Sequence, residues 1–385
     1  MRTRLRPALL AALGFPFFPG FAMAQLAVIA VDAKVELVNG VSTVVASPVP
    51  DTVVIVDIKA SPPKVIAEVE APASVVGPPL SVAITPDEGL ALVTAAMKTE
   101  GGKQVPDNRL SVIDLQASPP KVIATLETGA SPAGLSINRK GDLALVANRA
   151  EGTVSVFRIA GKTVTAAGKV TVADAKSGVS HVAFTPGGSM ALVTRDGDYR
   201  ISVLAVDGEK VEYTKRDMTA GLRPYGLDIS SRGDIALVAN LGTGSGDADT
   251  ISVIDVRAKP PRVVDTLTVG QTPEGVVFSA DGSLCAVVAM NGSNKAKDSP
   301  FYNDQGKVIV YRVAGMNLSK LGEAPIGSWS QGAAFSDDNK TLLVTNMVEK
   351  NVQVFAIDRD SIKDTGHKIA LKGGGAAIRV ADKPR

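Results

Sequence analysis

Sulfur, imidazole and aromatic side chains are all scarce in this sequence of 385 residues. It contains one cysteine and two histidines, and aromatic residues make up 4% of the chain. A single cysteine excludes an intrachain disulfide, and it also excludes a Cys-x-x-Cys-His haem attachment motif. Cys285 lies inside the apolar run Leu284–Val288, which predicts a buried structural thiol. No metal-ligand motif occurs either, so we expect no cofactor and no metal.

Net charge is also small, with 41 basic residues against 39 acidic ones. No stripe of Lys and Arg with interleaved aromatic residues occurs, so nucleic acid is not an expected partner.

Long apolar segments are absent after the N-terminus. Residues 1–6 are basic, residues 7–21 are apolar, and Ala22-Met23-Ala24 has the small-residue spacing of a cleavage site. This pattern predicts a secretory signal peptide over residues 1–24, with an uncleaved anchor as the alternative. Cleavage would leave 38 basic and 39 acidic residues. We expect a periplasmic or secreted protein without a transmembrane segment after cleavage.

An internal repeat of roughly 45–55 residues fills the rest of the chain. Its clearest copies span residues 132–148, 224–240 and 331–346. Six copies are continuous, and a seventh is divided between the two ends of the chain. Each copy predicts four short strands, here named A to D from the inside outwards. The sequence therefore predicts an all-β, seven-bladed β-propeller of four-stranded antiparallel blades, forming a single domain over residues 25–385.

The divided repeat predicts how the ring closes. Residues 375–380 have the pattern of strand A, and nothing follows them that could form strands B to D. Near the N-terminus the other three strands occur without a strand A. We predict that the C-terminal strand pairs into the first blade, with Ala376–Ala381 beside Val35–Asn39. Such closure would leave no free sheet edge at the seam.

The best repeated segment carries a family resemblance. Leu-Val-Ala-Asn at residues 145–148 and 237–240, followed by Thr-Val-Ser-Val-Phe at 153–157, resembles the YVTN family of β-propeller repeats. That family is similar to the seven-bladed lactonase-type propellers. The resemblance implies the fold across nearly the whole chain. It implies little about activity, because its members include envelope proteins, nucleic-acid-binding proteins and lactone hydrolases.

The candidate functional residues are those at which one blade departs from the residue that the other blades share. The D–A and B–C connections line one end of the central channel, here called the upper mouth, and the A–B and C–D turns line the lower mouth. Five inner strands carry glycine at one position, whereas Ser81 and His181 replace it in the other two. The residue before this position differs in every blade. The Asn that follows strand B at 148, 240 and 346 is interpreted as structural.

These departures predict a site for a small anion at the upper mouth. His181 and Glu274 are the candidate acid–base residues, and two arginines would clamp the anion. The candidate ligand-binding residues are Arg149, Arg195, Arg223, Tyr225, Gln331, Phe301 and Tyr302. Two simpler interpretations stay open. The charged residues could form a solvated ring of ion pairs, and His181 could bond a loop carbonyl.

Two long loops belong to the same mouth. Residues 291–305 carry Phe301 and Tyr302, and a loop of this length is often a lid or a partner-binding element. Residues 241–250 contain two aspartates among glycines, but they lack the EF-hand pattern, which favours a solvated loop over a Ca²⁺ site.

Two functions are compatible with these features. The first is a ligand-binding or protein-interaction module of the cell envelope, working through the upper mouth as a monomer. Its partner would be a small anionic ligand or an envelope protein. The alternative is a lactonase-like hydrolase or cycloisomerase for a carboxylated or phosphorylated lactone. The regular repeats and the scarcity of histidine favour the first function.

Overall fold

The computed structural model describes residues 25–383, and strands dominate this range. The predicted signal segment 1–24 lies outside the described residues. Among residues 25–383, no helix has the length and apolarity that crossing a membrane requires. A single 3₁₀ turn occurs in this range, at Ala175–Ser177.

In chain order, the strands up to Thr171 are β1 (Leu26–Asp32), β2 (Val35–Val38), β3 (Val41–Val44), β4 (Thr52–Asp57), β5 (Lys64–Glu70), β6 (Val82–Ile84), β7 (Leu90–Glu100), β8 (Lys103–Asp114), β9 (Lys121–Glu127), β10 (Pro132–Ile137), β11 (Leu143–Asn148), β12 (Thr153–Ala160) and β13 (Thr163–Thr171). The remaining strands are β14 (Val179–Phe184), β15 (Met190–Arg195), β16 (Arg200–Asp207), β17 (Lys210–Thr219), β18 (Pro224–Ile229), β19 (Ile235–Asn240), β20 (Asp249–Asp255), β21 (Arg262–Gly270), β22 (Pro273–Phe278), β23 (Leu284–Ala289), β24 (Gly306–Ala314), β25 (Asn317–Ile326), β26 (Ser330–Phe335), β27 (Thr341–Asn346), β28 (Asn351–Ile357), β29 (Ile362–Ala370) and β30 (Gly374–Val380).

Seven four-stranded antiparallel sheets form the blades of a propeller, which confirms the predicted fold. Blade one has the strand order β30-β1-β4-β5, so its innermost strand comes from the C-terminus. Blades two to seven are each continuous in sequence, from β6–β9 to β26–β29. An eighth, two-stranded sheet consists of β2 and β3 and forms the B–C connection of blade one.

Tight turns join strands A and B, as the glycine-rich turn sequences predict. Gly141, Gly233 and Gly282 have φ between 66° and 77°, a region in which other residues are strained. Each donates its N–H to the carbonyl three residues earlier at 2.8 Å, which closes the turn. These turns let the inner strand lead directly into its neighbour.

Ring closure uses a different strand from the one predicted. β30 pairs antiparallel with β1, from Ala27 opposite Val380 to Asp32 opposite Gly374. The prediction that Val35–Asn39 would take this place is wrong, because Val35–Val38 pairs with β3 in the separate hairpin. Burial explains the difference. β1 is apolar and buried along almost its full length, whereas β2 is half exposed and cannot serve in the middle of a blade.

The core lies between neighbouring blades. Each large cluster of buried side chains combines two adjacent sheets, for example Phe335 and Phe355 of blade seven with Val308 of blade six. Cys285 is fully buried in the cluster between blades five and six, as predicted, and burial raises the pKa of its thiol. Removing these surfaces from water is what holds the blades together.

Candidate functional site

The inner strands of blades four to seven are irregular where they reach the upper mouth. The pairing of strands A and B shifts register at this end, between Val179 and His181 in blade four and between Pro273 and Gly275 in blade six. Similar shifts occur in blades five and seven. A bulge of this kind changes the direction of a side chain. The residues at the irregularity are Ser180, Tyr225, Glu274 and Gln331, and all four are buried.

Blades three to five contribute a compact group of charged residues at this mouth. Arg149 donates one hydrogen bond to Ser180 Oγ at 2.5 Å and another to Asp196 Oδ2 at 2.7 Å. Arg223 approaches the same Oδ2 atom at 3.4 Å. Ser180 donates its hydroxyl hydrogen to Asp196 Oδ1 at 2.8 Å. Two guanidinium groups thus share one buried carboxylate.

Tyr225 and Glu274 complete this group. The Arg149 guanidinium lies over the Tyr225 ring, 5.5 Å from its centroid, which is a cation–π arrangement. Burial raises the pKa of the Tyr225 phenol, so the ring stays neutral. Burial also raises the pKa of the Glu274 carboxyl to about 8, although Arg223 and Arg149 act to lower it. We call Arg149, Ser180, Asp196, Arg223, Tyr225 and Glu274 the mouth cluster.

Below pH 8 the mouth cluster carries a surplus of positive charge. Arg149 and Arg223 each contribute one positive charge, Asp196 contributes one negative charge, and Glu274 is mostly protonated. The side chain of Arg149 is 25% exposed and that of Arg223 is 40% exposed. Both side chains are therefore partly accessible to solvent at the mouth.

Gln331 lies in blade seven beside Glu274 of blade six. A Cβ atom on Gly275, the residue after Glu274, would lie 3.1 Å from the Gln331 carbonyl oxygen. The Gln331 side chain is fully buried, and its Nε2 donates to the Trp329 carbonyl at 3.2 Å. The structure thus brings Arg149, Arg223, Tyr225, Glu274 and Gln331 to one mouth.

Arg195 is not part of this group. Its side chain lies within blade four, where it contacts Asp198, Ser202 and Asp217. It pairs opposite Arg200, as Asn148 pairs opposite Thr153 in blade three. Arg195 therefore occupies the structural position of the repeated asparagine. The following residue, Asp196, is the one that faces the mouth.

His181 is buried inside the channel wall between its two neighbouring blades. A Cβ atom on Gly134 of blade three would overlap the His181 imidazole, so the ring lies directly against that glycine. Burial lowers the pKa of His181 well below its usual value, and the charge of Arg379 lowers it further. Among the described residues, no hydrogen bond joins the ring to the mouth cluster. His181 is thus a neutral residue of the channel interior.

Phe301 and Tyr302 lie on the rim of the upper mouth, in the B–C loop of blade six. The Phe301 ring packs against Gly246 in the B–C loop of blade five, and it remains 41% exposed. The same blade-six loop contacts the hairpin of blade one, since Lys297 N donates to Asn39 Oδ1 at 3.1 Å. Loops from blades one, five and six therefore meet above one side of the mouth. The structure joins neither aromatic residue to the mouth cluster by a hydrogen bond among residues 25–383.

Ser180 and Asp196 are site residues that the sequence reasoning did not select. Strand alternation could have indicated Asp196. If the Asn side chain lies on one face of its sheet, then the side chain of the next residue lies on the other face, as that of Arg149 does when it bonds Ser180 and Asp196 of the neighbouring blade. Ser180 has no distinctive signal, because serine is common at buried repeat positions in this chain.

The lower mouth contains a separate cavity of about 280 Å³. Arg379 of β30 reaches across the channel there and pairs with Asp228 of blade five at 3.2 Å. Asp228 also accepts the Phe278 N–H at 2.8 Å, so its carboxylate is held at two points. Within residues 25–383, no group of three or more His, Cys, Asp or Glu side chains is placed to hold a metal ion.

The similarity of this chain to known proteins concerns its architecture. No protein-family model and no curated protein sequence matches the chain, so membership of the YVTN family stays a prediction. A functionally unknown protein from Desulfotomaculum acetoxidans has a TM-score of 0.69 at 16% identity, covering 94% of this chain and 100% of its own.

Two lactonase-type structures are similar to the same extent. A candidate 6-phosphogluconolactonase from Bacteroides fragilis gives a TM-score of 0.70 at 16% identity, covering 95% of this chain and 100% of its own. The periplasmic gluconolactonase of Pseudomonas aeruginosa gives 0.68 at 18% identity, with coverages of 93% and 99%. At these identities the likeness concerns the fold alone. The chain is therefore similar in architecture to the lactonase-type propellers.

Proposed function

We propose that this protein binds a small anionic ligand at its upper mouth. One observation carries the proposal, namely that Arg149 and Arg223 share a single carboxylate, Asp196. The unpaired positive charge lies where both guanidinium groups are partly open to solvent. Arginine presents a planar fork of donors that suits a carboxylate or a phosphate. An anion would therefore complete the pairing of the two arginines.

Ligand titration by calorimetry at pH 7 tests this proposal with propionate and inorganic phosphate as probes. Arg223→Gln removes one charge from a partly exposed position outside the strands, and we expect it to weaken binding by about tenfold or more, since a hydrogen bond to a charged group contributes about 1.5–3 kcal/mol. Arg232→Gln, in the same blade at the opposite mouth, is the matched control and should bind normally. Absence of binding by the native protein, or equal binding by both variants, would contradict the proposal.

The pH dependence of binding is a second test of the same site. Glu274 is neutral below its pKa of about 8 and becomes a carboxylate above it. The charged groups that act on it are Arg223, Arg149 and Asp196. Ionisation of Glu274 cancels the surplus positive charge of the mouth cluster. We therefore expect anion affinity to fall between pH 7 and pH 9, and we expect this fall to disappear in Glu274→Gln.

Lactone hydrolysis is the second candidate function. The similarity in fold to two lactonase-type structures supports it, as does a buried carboxyl with a raised pKa beside two guanidinium groups, which suits an acid–base role. Glu274 would exchange the proton, and the arginines would hold the anion. A panel of sugar lactones tests this alternative. Turnover that Glu274→Gln abolishes without lowering the melting temperature would favour catalysis over binding alone.

We also propose that the protein is exported and functions in the cell envelope. It rests on the basic, apolar and small-residue pattern of residues 1–24. N-terminal sequencing of the protein from an envelope fraction should begin at Gln25. An intact Met1 on protein from the cytoplasmic fraction would contradict export.

A further inference from the structure

A groove between blades four and five gathers positive charge on the outer side of the ring. It has a volume of about 590 Å³ and lies where the C–D turn of blade five meets the outer strand of blade four. Among the described residues that line it, three are cationic and none is acidic. The three are Arg216, Arg257 and Lys259; all are exposed, and within residues 25–383 none of them forms an ion pair. We call this feature the basic groove.

Apolar side chains line the rest of the basic groove. Val256 belongs to the hydrophobic cluster between blades four and five, and Met190 packs against that cluster while staying partly open to solvent. Pro260 and Pro261, in the C–D turn of blade five, add further apolar surface, and Pro260 is exposed. The basic groove thus combines a firm apolar lining, continuous with the core, and three accessible cations.

Three equivalent clefts elsewhere in the ring are neutralised by ion pairs within the chain. In each of them, the residue opposite the first residue of strand B pairs with an oppositely charged residue in the C–D turn of the next blade. The pairs are Asp114 with Lys162 at 2.6 Å, Arg158 with Glu209 at 3.7 Å, and Arg312 with Asp360 at 3.0 Å. A charged C–D turn is therefore ordinarily matched by the blade before it.

Blade four lacks the residue that would match the turn of blade five. Ala205 lies opposite Met190, the first residue of its strand B, where the other clefts have a charged side chain. The two carboxylates nearest in sequence are engaged elsewhere. Asp217 pairs with Arg195, and Asp255 accepts two backbone N–H groups of its own turn. The charge of the basic groove is therefore left without a carboxylate from this chain.

We infer that the basic groove docks an acidic peptide segment of a partner protein. Carboxylates of the segment pair with Arg216, Arg257 and Lys259, and its apolar side chains contact Met190 and Pro260. Charge complementarity of this kind selects a partner and steers its approach. Within the described residues, β21 is the last strand of its sheet and begins directly after Pro261, so an extended peptide finds free backbone groups beside the groove.

The local character of the charge favours a peptide over an anionic membrane. A membrane surface attracts many basic residues spread over one face. Here the cations of three other clefts are paired within the chain, and the unpaired ones are concentrated in one groove. The basic groove shares no residue with the mouth cluster, so this inference is independent of the proposed anion site.

Fluorescence anisotropy with the full chain and a rhodamine-labelled peptide tests the inference. The probe is Gly-Glu-Leu-Asp-Leu-Glu-Gly. One control peptide replaces its acidic residues by the matching amides, and another replaces its leucines by serine. At pH 7 and low ionic strength, we expect the probe to bind about tenfold more tightly than the amide peptide and more tightly than the serine peptide, and to be released by salt. Absence of probe binding, or equal binding by either control peptide, would overturn the inference.

Variants of the basic groove show whether the peptide binds there. Arg257→Gln combined with Lys259→Gln removes two of the three cations and should weaken probe binding by about tenfold. Ala205→Glu supplies the carboxylate that other clefts carry at this position, and it should weaken binding similarly without removing a cation. Lys121→Gln combined with Lys363→Gln, at exposed outer-strand positions of blades two and seven, removes the same charge and is the matched control. Native affinity in either groove variant, or an equal loss in the control, would overturn the inference.

Two competition measurements separate a peptide site from other anion sites. Displacement of the probe by inorganic phosphate at constant ionic strength would reduce the basic groove to a simple anion site and overturn the inference. Displacement by vesicles of phosphatidylcholine and phosphatidylglycerol, but not by phosphatidylcholine alone, would assign the groove to a lipid surface and overturn it as well. Persistence of the bound probe in both measurements supports a peptide partner.

The two proposals fail separately. Propionate affinity at the upper mouth should be unchanged in both groove variants, because neither alters the mouth cluster. Loss of propionate binding in the native chain would remove the proposed function and leave the basic groove untouched. Melting temperatures of the groove variants within a few degrees of the native value would show that any loss of peptide binding is local.

Discussion

At the residue scale, the two kinds of departure from the repeat, at the glycine position and at the position before it, have different outcomes in the structure. His181 replaces a repeat glycine, which predicts a functional side chain, yet the structure buries it as a neutral ring against Gly134. Tyr225, Glu274 and Gln331 precede the repeat glycine and lie buried at the upper-mouth end of their inner strands. The sequence could indicate which positions vary. It could not indicate that a neighbouring glycine makes room for the imidazole, because that contact depends on how two blades approach each other.

The contact between His181 and Gly134 gives a testable prediction. A methyl group at residue 134 would overlap the ring, so Gly134→Ala should lower the free energy of unfolding by about 1–3 kcal/mol, as overpacking does. In a His181→Gly background the same change should cost much less, since the ring is gone. Urea denaturation of the two single variants and the double variant measures this coupling.

A matched glycine elsewhere serves as the control for that prediction. Gly187 lies in the A–B turn of blade four, and a Cβ atom there would have no neighbour within 4 Å. Gly187→Ala should leave stability unchanged or slightly improved. Equal costs for Gly134→Ala with and without His181 would show that the ring is not what fills this space.

At the element scale, the ends of the B strands decide which residues face the upper mouth. The strands themselves could be predicted well, because their alternation and turn glycines are strong local signals. The direction of Arg195 could not be predicted. Its charge suggested a ligand contact, but its register is that of Asn148 and Asn240, which bond the serines of their own C strands. Arg195 likewise bonds Ser202 of its own C strand, and it also pairs with Asp217 of the outer strand and with Asp198 of the turn.

The stability of blade four should therefore depend on Arg195, whereas anion binding should not. The Arg195 side chain is 9% exposed and that of Asp217 is 17% exposed. Removing one partner leaves a carboxylate poorly compensated, so Arg195→Gln should lower the free energy of unfolding by about 3 kcal/mol. Arg158→Gln, which breaks an exposed pair with Glu209, should change it by less than about 1 kcal/mol. Weakened propionate binding by a well-folded Arg195→Gln would return this residue to the site.

At the scale of the whole molecule, the ring is held by a strand from the far end of the chain. The split repeat made this closure predictable. The strand with which it pairs was not predictable. In the other blades strand A and a tight turn come directly before strand B in the sequence, whereas neither of them precedes β1. β2 has a similar pattern but lies in the hairpin above the mouth. The long loops that meet over the mouth were also predictable as loops, but their contacts were not, since those depend on the closed ring.

Removing the closing strand should open the propeller. Deletion of residues 373–385 removes six residue pairs between β1 and β30 and exposes the core that Ala377 and Ile378 cover. The ladder bonds and the buried side chains together contribute at least about 5 kcal/mol, which is comparable to the whole stability of many domains. We expect the shortened chain to lose its cooperative thermal transition in calorimetry, and to aggregate through the exposed edge of β1.

Deletion of residues 382–385 alone is the control, because it spares β30. It removes the pairs of Asp382 with Arg139 and of Lys383 with Glu88, in which the Asp382 and Lys383 side chains are about half exposed. Exposed pairs contribute at most about 1 kcal/mol each, so this chain should unfold cooperatively near the native temperature. A native-like transition after the longer deletion would mean that six blades and a three-stranded remnant are self-sufficient. The closing strand would then serve the channel, through the cross-channel pair of Arg379 and Asp228, rather than the integrity of the ring.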